Sequence, residues 1–250
     1  MSDLSEKQQR ARGMVCLPLD GLHSLDAVRE RVEELSPFVG LFKVGKEAFT
    51  RFGPEIIPLV NGYGAGVFLD LKYHDVPNTV KGAARAAAEL GVFMLNVHAS
   101  GGLTMMKAAM EGVEEACAGK EERPKVVAVT VLTSIDQEIL NLECGIPGSI
   151  EELVLRLAEL TASAGLDGIV CSAADLKALK NMLPPQFMFV TPGIKGPSTA
   201  AGSDQMRVLT PGAAVEAGST LLVVGRAITA AKDRIAAARE VLDDIAGVLQ

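Results

Sequence analysis

The stretch Gly66-Val-Phe-Leu-Asp-Leu-Lys-Tyr-His-Asp-Val-Pro-Asn-Thr79 joins an apolar run to the start of a helix. The apolar first half, which opens on a glycine, is typical of a buried β-strand. Pro77 suits the first turn of a helix, where its missing N–H costs no hydrogen bond. The stretch therefore predicts one βα unit of a parallel sheet. It also places Asp70, Lys72 and Asp75 within six positions.

The same alternation of short apolar runs and longer amphipathic stretches recurs along the whole chain. The predicted strands are 14–17, 40–44, 67–71, 93–97, 126–131, 168–170, 187–190 and 221–224. Predicted helix starts are Ser24, Pro54, the pair Ser149 and Glu152, and the pair Ser172 and Asp175. Eight strands alternating with helices predict an α/β fold, a (β/α)8 TIM barrel.

An open, doubly wound sheet is the alternative architecture. It favours fewer strands and a G-x-G-x-x-G turn after the first one, whereas the first strand here runs into Pro18-Leu-Asp-Gly21. No linker or change of composition divides the 250 residues, a length that suits one large domain. We therefore expect a single barrel domain over residues 14–250, preceded by a polar N-terminal extension over 1–13.

Composition limits the classes of partner. The net charge is −7 and the cations are dispersed, so nucleic acid and anionic membranes are not expected as partners. Residues 1–13 lack the apolar core of a signal peptide, and no apolar run is long enough to span a bilayer. Four cysteines without a C-x-x-C pair indicate neither a zinc site nor a disulfide framework. We expect a soluble cytoplasmic protein.

Charged and polar residues follow several of the predicted strands. The active site of a TIM barrel lies at this C-terminal end of the strands. The candidates there are Asp20, Lys43, Asp70, Lys72, Asp75, Thr133, Lys195, Gly225 and Arg226. Asp70 and Lys72 are two residues apart on one strand and should share a face. With Lys43 and Asp75 they would form a network of two cations and two anions. Carboxylates keep a lysine protonated, so the network predicts a positioned proton donor.

Each of these residues also has a structural interpretation. A single charge at a strand end is more often a cap or a rim salt bridge than a catalyst. Asp20-Gly21 fits a simple turn, and Asn78-Thr79 fits the start of a helix. His74 and His98 suit structural hydrogen bonds better than metal ligation, because no ligand spacing surrounds them. The coincidence of four charges at one barrel mouth favours a functional role.

The end of the eighth strand predicts a phosphate site. Gly225-Arg226 stands where a helix begins, and helix N-termini beyond strands seven and eight of barrels often bind phosphate. Gly193 and Gln205 would flank the other side. Residues 191–203, rich in small residues and proline, suit a mobile lid.

The sequence resembles the orotidine 5'-phosphate decarboxylase family, whose signature is D-x-K-x-x-D-I-P-N-T. The matching segment is Asp70-Leu-Lys-Tyr-His-Asp-Val-Pro-Asn-Thr79, and further agreements extend along nearly the whole chain. They are Leu19-Asp20, Phe42-Lys-Val-Gly45, Asn96-Val-His-Ala99, Leu132-Thr-Ser134, Thr191-Pro-Gly-Ile194, Asp204-Gln205 and Val224-Gly-Arg226. The resemblance implies a homodimeric barrel without metal or organic cofactor. Its reaction would convert orotidine 5'-phosphate to uridine 5'-phosphate and CO₂, the last step of de novo UMP (pyrimidine) biosynthesis.

The resemblance also implies roles for individual residues. Lys72 would protonate C6 as CO₂ departs, Asp70 would lie against the substrate carboxylate, and Lys43 would contact the ribose. Asp75 would act in the active site of the other subunit. The other implied substrate contacts are Asp20, Thr79, Thr133, Lys195, Gln205, Gly225 and Arg226.

Position 195 departs from the family pattern, which usually reads Pro-Gly-Ile-Arg. Pro192-Gly-Ile-Lys195 replaces a bidentate guanidinium with a point charge, so we expect an altered grip on the phosphate from this position.

Three rival functions share parts of the pattern. Mg²⁺-dependent sugar-phosphate decarboxylases and aldolases of the same superfamily share D-x-K-x-x-D, but their second strand tends to end in a glutamate where this chain has Lys43. A Schiff-base aldolase would need an unprotonated Lys72, which flanking carboxylates oppose. A noncatalytic nucleotide-binding barrel would have no need of all four charged residues.

Overall fold

The computed structural model describes residues 4–196 and 209–250, and in them eight parallel strands form a closed barrel in sequence order. The strands are β1 (Val15–Pro18), β2 (Leu41–Gly45), β3 (Gly66–Tyr73), β4 (Met94–His98), β5 (Lys125–Val129), β6 (Gly168–Val170), β7 (Met188–Pro192) and β8 (Leu221–Val223). The barrel closes where β8 pairs with β1. The predicted TIM barrel is confirmed. Most strand ends lie within two residues of the predicted ones, and β3 runs two residues further than predicted.

Helices surround the barrel. In the described ranges they are α1 (Glu6–Gly13), α2 (Leu25–Leu35), α3 (Lys46–Phe52), α4 (Ile56–Asn61), α5 (Pro77–Glu89), α6 (Gly102–Ala116), α7 (Ile150–Ser163), α8 (Leu176–Leu179), α9 (Pro211–Ala217), α10 (Arg226–Thr229) and α11 (Arg234–Val248). None of these helices could cross a membrane, being too short or too polar.

Two of the predicted helix starts are confirmed. The Ser24 hydroxyl accepts a hydrogen bond from the Ala27 N–H, and Ser149 with Glu152 forms a reciprocal capping box. These three bonds satisfy N–H groups that have no partner within the helix.

The other two predicted starts differ from the structure. Pro54 lies in a short 3-10 turn, Gly53–Glu55, and α4 begins after it at Ile56. The predicted helix start at Ser172 is wrong, because α8 begins only at Leu176. Of the predicted capping box only one bond forms, from the Ser172 N–H to the Asp175 carboxylate at 3.0 Å. The Ser172 hydroxyl accepts from the N–H two residues ahead, at Ala174, and therefore closes a turn.

Alternate strand residues pack into two separate layers, as the two-residue period of a strand requires. The inward set forms a core inside the barrel: Cys16, Leu41, Phe68, Met94, Val127, Val190, Leu221 and Val223. Most of the outward side chains pack beneath the helices. The next inward positions along β2, β3 and β4 are Lys43, Asp70 and Asn96, so the inner core supports polar residues at the barrel mouth.

The N-terminal segment 6–13 is helical and joined to the barrel. Ala11 is fully buried, and the Gln8 amide donates to Asp243 of α11 at 2.7 Å. The Arg12 guanidinium donates twice to the Ser36 carbonyl, at 2.9 and 3.1 Å, beyond the end of α2. Since α1 leads directly into β1, these contacts lie at the end of the barrel opposite the mouth.

Candidate active site

A carboxylate between two ammonium groups lies at the mouth of the barrel. Asp70 projects inward from β3 and is only 8% exposed. Its Oδ1 lies 2.5 Å from the Nζ of Lys72, and its Oδ2 lies 3.2 Å from the Nζ of Lys43 on β2. The structure therefore brings together three of the charged residues that were selected from the sequence.

These contacts shift the pKa of both buried partners. Burial by itself would raise the pKa of Asp70, but Lys43, Lys72 and a hydrogen bond from Asn96 lower it below its ordinary value. Burial would likewise lower the pKa of Lys43, but the carboxylates of Asp70 and Asp20 raise it above its ordinary value. Both groups are thus charged at neutral pH.

Asp20 lies at the barrel mouth, as its place after the first strand suggested, whereas Asp75 does not join the array. The Nζ of Lys43 is 3.4 Å from each Asp20 oxygen, so Asp20 extends the array. Asp75 is exposed, and its carboxylate accepts from the N–H of Val76 at 2.6 Å. Within the described residues it forms no ion pair, so the expected position beside Lys72 of the same chain is wrong. The turn after β3 leaves this carboxylate exposed.

The backbone at Lys72 is also irregular. Lys72 has a φ of 52°, the only left-handed value among the non-glycine residues that the structure describes. The pairing of β3 with β4 shifts register between Leu69 and Tyr73. A regular strand through Lys72, which was expected from the sequence, is therefore not observed, although the ammonium still reaches Asp70.

Asn96 is a site residue that the sequence analysis included only in the family match Asn96-Val-His-Ala99 and gave no role. It is fully buried on β4, its Nδ2 donates to Asp70 Oδ1 at 2.7 Å, and its Oδ1 accepts from the Lys72 N–H at 2.8 Å. The available signal was an amide at an inward position of an otherwise apolar strand, two residues after Met94.

A cavity of about 200 Å³ opens over the array. Lys43, Asp70 and Lys72 form its charged side, and Thr133 lies on its wall. Most of the remaining wall is apolar and includes Phe68, Val129, Val170, Pro192 and Val223. The cavity therefore combines fixed charges with an apolar surface that can accept a ring.

The other selected residues are placed less closely around this cavity. Thr79 is exposed in the first turn of α5. Lys195 is half-buried beyond β7, and Arg226 is exposed at the start of α10, directly after Gly225. Gln205 and most of the proposed lid, residues 197–203, lie outside the described residues.

His74 and His98 lie side by side near the mouth, with ring centroids 5.4 Å apart and ring planes tilted by 42°. Burial, followed by the charges of His74, Lys46 and Lys72, lowers the pKa of His98 to about 4. No group of three or more His, Cys, Asp or Glu side chains within residues 4–196 and 209–250 is arranged to hold a metal ion.

The fold and the charged array together define a class, the TIM barrels that hold a lysine beside a carboxylate at the barrel mouth. Comparison with known proteins narrows this class. The family model described as Orotidine 5'-phosphate decarboxylase / HUMPS family matches residues 13–241. The chain belongs to this family.

Several relatives carry the decarboxylase name. The orotidine 5'-phosphate decarboxylase of Moorella thermoacetica is 47% identical over 239 residues, which cover 95% of this chain and 94% of that protein. The enzyme of Nitrosococcus oceani is 51% identical over 87% of this chain and 91% of its own. The crystal structure of the Lactobacillus acidophilus enzyme superposes with a TM-score of 0.82 at 36% identity, covering 94% of this chain and 99% of that one. The resemblance stated from the sequence is confirmed.

Proposed function

We propose that this protein is a decarboxylase that converts orotidine 5'-phosphate to uridine 5'-phosphate and CO₂, the last step of de novo pyrimidine biosynthesis. The observation that carries the proposal is the Lys72 ammonium, held 2.5 Å from Asp70 at the barrel mouth in a chain of this family.

The chemistry explains why a fixed ammonium is needed. When the bond between C6 and the carboxyl carbon breaks, its electron pair remains on C6, where the ring offers no ordinary electron sink. Lys72 would stabilise this negative charge and then transfer a proton from Nζ to C6. Charges fixed in advance need no reorganisation during the reaction, and electrostatic stabilisation of this kind usually contributes more to catalysis than any other single effect. Enzymes typically lower barriers by about 8–23 kcal/mol.

Asp70 and Lys43 would form the charged surroundings in which Lys72 acts. Asp70 lies against the site where the substrate carboxylate would bind, and its own charge is balanced by Lys43 and Lys72. Lys43 would also contact the ribose. The apolar side of the cavity would accept the pyrimidine next to Thr133.

The remaining contacts follow from the family resemblance. Asp20 and Thr79 would contact the nucleoside part of the substrate. Lys195, Gln205, Gly225 and Arg226 would bind the phosphate. Binding energy from this distant phosphate can be used at the reacting carbon, because it holds the ring against the charged array.

We further propose that the enzyme is a cytoplasmic homodimer in which Asp75 acts in the partner's site. The supporting observation is the exposure of Asp75 and of the neighbouring Val76, which is 63% exposed. An apolar side chain beside a carboxylate that has no ion pair in the described residues fits a contact with a second copy.

The first experiment measures the absorbance change on adding orotidine 5'-phosphate to the purified protein, with and without EDTA. We expect turnover that the chelator leaves unchanged. Loss of turnover with EDTA, or no turnover, would favour the Mg²⁺-dependent relatives. Lys72→Ala should abolish activity, whereas the matched control Lys81→Ala should retain it, because Lys81 pairs with Glu111 and Glu115 on the outer surface.

A further inference from the structure

Asn96 is a fully buried polar side chain within the barrel, and both ends of its amide are bonded to the charged array. Buried polar groups need such partners, since an unsatisfied amide inside a protein is destabilising. An apolar residue at this inward position would avoid that requirement. An amide at this position is therefore best explained by the two groups to which it is hydrogen-bonded.

One end of the amide holds a carboxylate oxygen. Asp70 Oδ1 accepts from Asn96 Nδ2 at 2.7 Å and from Lys72 Nζ at 2.5 Å. The direction of the Asn96 bond therefore limits how the carboxylate can rotate, and the carboxylate in turn positions the ammonium.

The other end holds the backbone from which the same ammonium extends. The Lys72 N–H donates to Asn96 Oδ1 at 2.8 Å, at the point where β3 and β4 lose their register. A bulge leaves backbone groups without partners in the sheet. Asn96 supplies the missing acceptor and supports a left-handed conformation that a lysine rarely adopts.

We propose that Asn96 is a positioning residue, which fixes both Asp70 and the Lys72 backbone and so sets the direction of the Lys72 ammonium. This inference rests on the proposed decarboxylation. Reacting groups must be held closely, since a misplacement of about 1 Å can cost 10²-fold in rate. A residue that only stabilised the fold would change unfolding and leave the catalytic step alone.

Two variants separate the two ends of the amide. Asn96→Leu removes both hydrogen bonds while keeping a similar volume. In Asn96→Asp, the new carboxyl accepts from the Lys72 N–H at any pH but donates to Asp70 only when protonated. The groups around this position are Asp70 and Lys72 on β3, Lys43 beyond them and His98 on the same strand. The residue opposite on β5 is Val127.

The measurement is the dependence of kcat and KM on pH. For Asn96→Leu we expect a fall in kcat of about 100-fold with little change in KM, in line with the cost of misplacement. For Asn96→Asp we expect kcat to fall about tenfold or more as pH rises, on a limb that the wild type lacks. Burial and the nearby Asp70 keep the new carboxyl protonated at low pH, where it can donate to Asp70. As pH rises the carboxyl loses its proton, and this hydrogen bond is lost.

A matched control is Thr161→Val, which also removes a fully buried polar group. The Thr161 hydroxyl bonds within α7, to the Leu157 carbonyl, and lies outside the array. It should change stability without a new pH limb. A wild-type pH profile for Asn96→Asp, or a wild-type kcat for Asn96→Leu, would overturn the inference while leaving the decarboxylase proposal standing. An inactive wild type would overturn both. Should Asn96→Leu fail to fold, the pH profile of Asn96→Asp decides, because it compares one protein with itself.

Discussion

At the scale of single residues, Lys72 combines a chemical requirement with an unfavourable backbone. A side chain in the left-handed region costs roughly 1–2 kcal/mol, which glycine avoids. The site keeps a lysine there because no other residue supplies an ammonium at this position. Stability and activity therefore favour different residues at position 72.

This conflict predicts an unusual order of stabilities. Lys72→Ala and Lys72→Gly should both be inactive, and the glycine variant should be more stable than the alanine variant by about 1 kcal/mol, because only alanine keeps the left-handed cost. Urea unfolding measures the difference. At the exposed Lys107, which lies in the interior of α6, the same pair should show the opposite order, since glycine destabilises helix interiors. Equal stabilities at position 72 would contradict the strained conformation.

Position 195 gives a second prediction for a single residue. Lys195→Ala should raise KM more than it lowers kcat, because a phosphate contact acts mainly in binding. Lys195→Arg should bind at least as tightly as the wild type, since a guanidinium can form two parallel hydrogen bonds to phosphate. Steady-state kinetics test both variants. An unchanged KM for Lys195→Ala would show that this lysine does not contact the phosphate.

At the scale of secondary-structure elements, local signals predicted most of the fold. Ser24 and Ser149 cap their helices with bonds to residues only three positions away, so the sequence is sufficient to identify them. The bulge in β3 could not be predicted this way, because it depends on the amide of Asn96 from a neighbouring strand. The position of Asp75 likewise depends on the path of the turn after β3. Sequence reasoning therefore grouped Lys43, Asp70 and Lys72 as the structure does, but it misjudged the backbone at Lys72 and the place of Asp75.

His98, at the end of β4, should make the free energy of unfolding depend on pH. The pKa of His98 is about 4 in the folded protein, against an ordinary value of 6.5. The unfolded chain therefore binds more protons between these values, and the free energy of unfolding should fall as pH drops from 6.5 towards 4. His98→Asn should reduce this slope in urea titrations across that range. The exposed His23 provides the control, and a slope unchanged by His98→Asn would refute the prediction.

A substitution in helix α1 should lower stability without affecting the barrel mouth. Arg12→Ala should lower the free energy of unfolding by about 1–3 kcal/mol, because it removes two charge-assisted hydrogen bonds to the Ser36 carbonyl. Kinetic constants should stay at wild-type values, since α1 lies at the opposite end of the barrel. Arg10→Ala is the matched control, because Arg10 is exposed and its guanidinium bonds to the carbonyl of the terminal Gln250. A large change in kcat for Arg12→Ala would contradict this separation.

At the scale of the whole molecule, the proposed sharing of Asp75 makes activity a property of the dimer. We expect Lys72→Ala and Asp75→Ala chains, each inactive alone, to regain activity when refolded together. One of the two sites in each mixed dimer would then combine an intact Lys72 with the partner's intact Asp75. Activity assays of the mixture test this, with mixtures of Lys72→Ala and Lys72→Ala/Asp75→Ala chains as the control. No recovery would show that Asp75 is not shared.

The closure of the barrel by β1 and β8 also has a consequence for how the protein forms. These strands come from opposite ends of the described chain, so their pairing carries a large loop-closure entropy and depends on β8 having been synthesised. Lys43, Asp70, Lys72 and Asn96, in contrast, lie on the consecutive strands β2, β3 and β4. The charged centre can therefore assemble on a nascent chain while the barrel is still an open sheet, and the Gly225-Arg226 end arrives last. During folding the proposed proton donor would form first, and the proposed phosphate-binding site would form last.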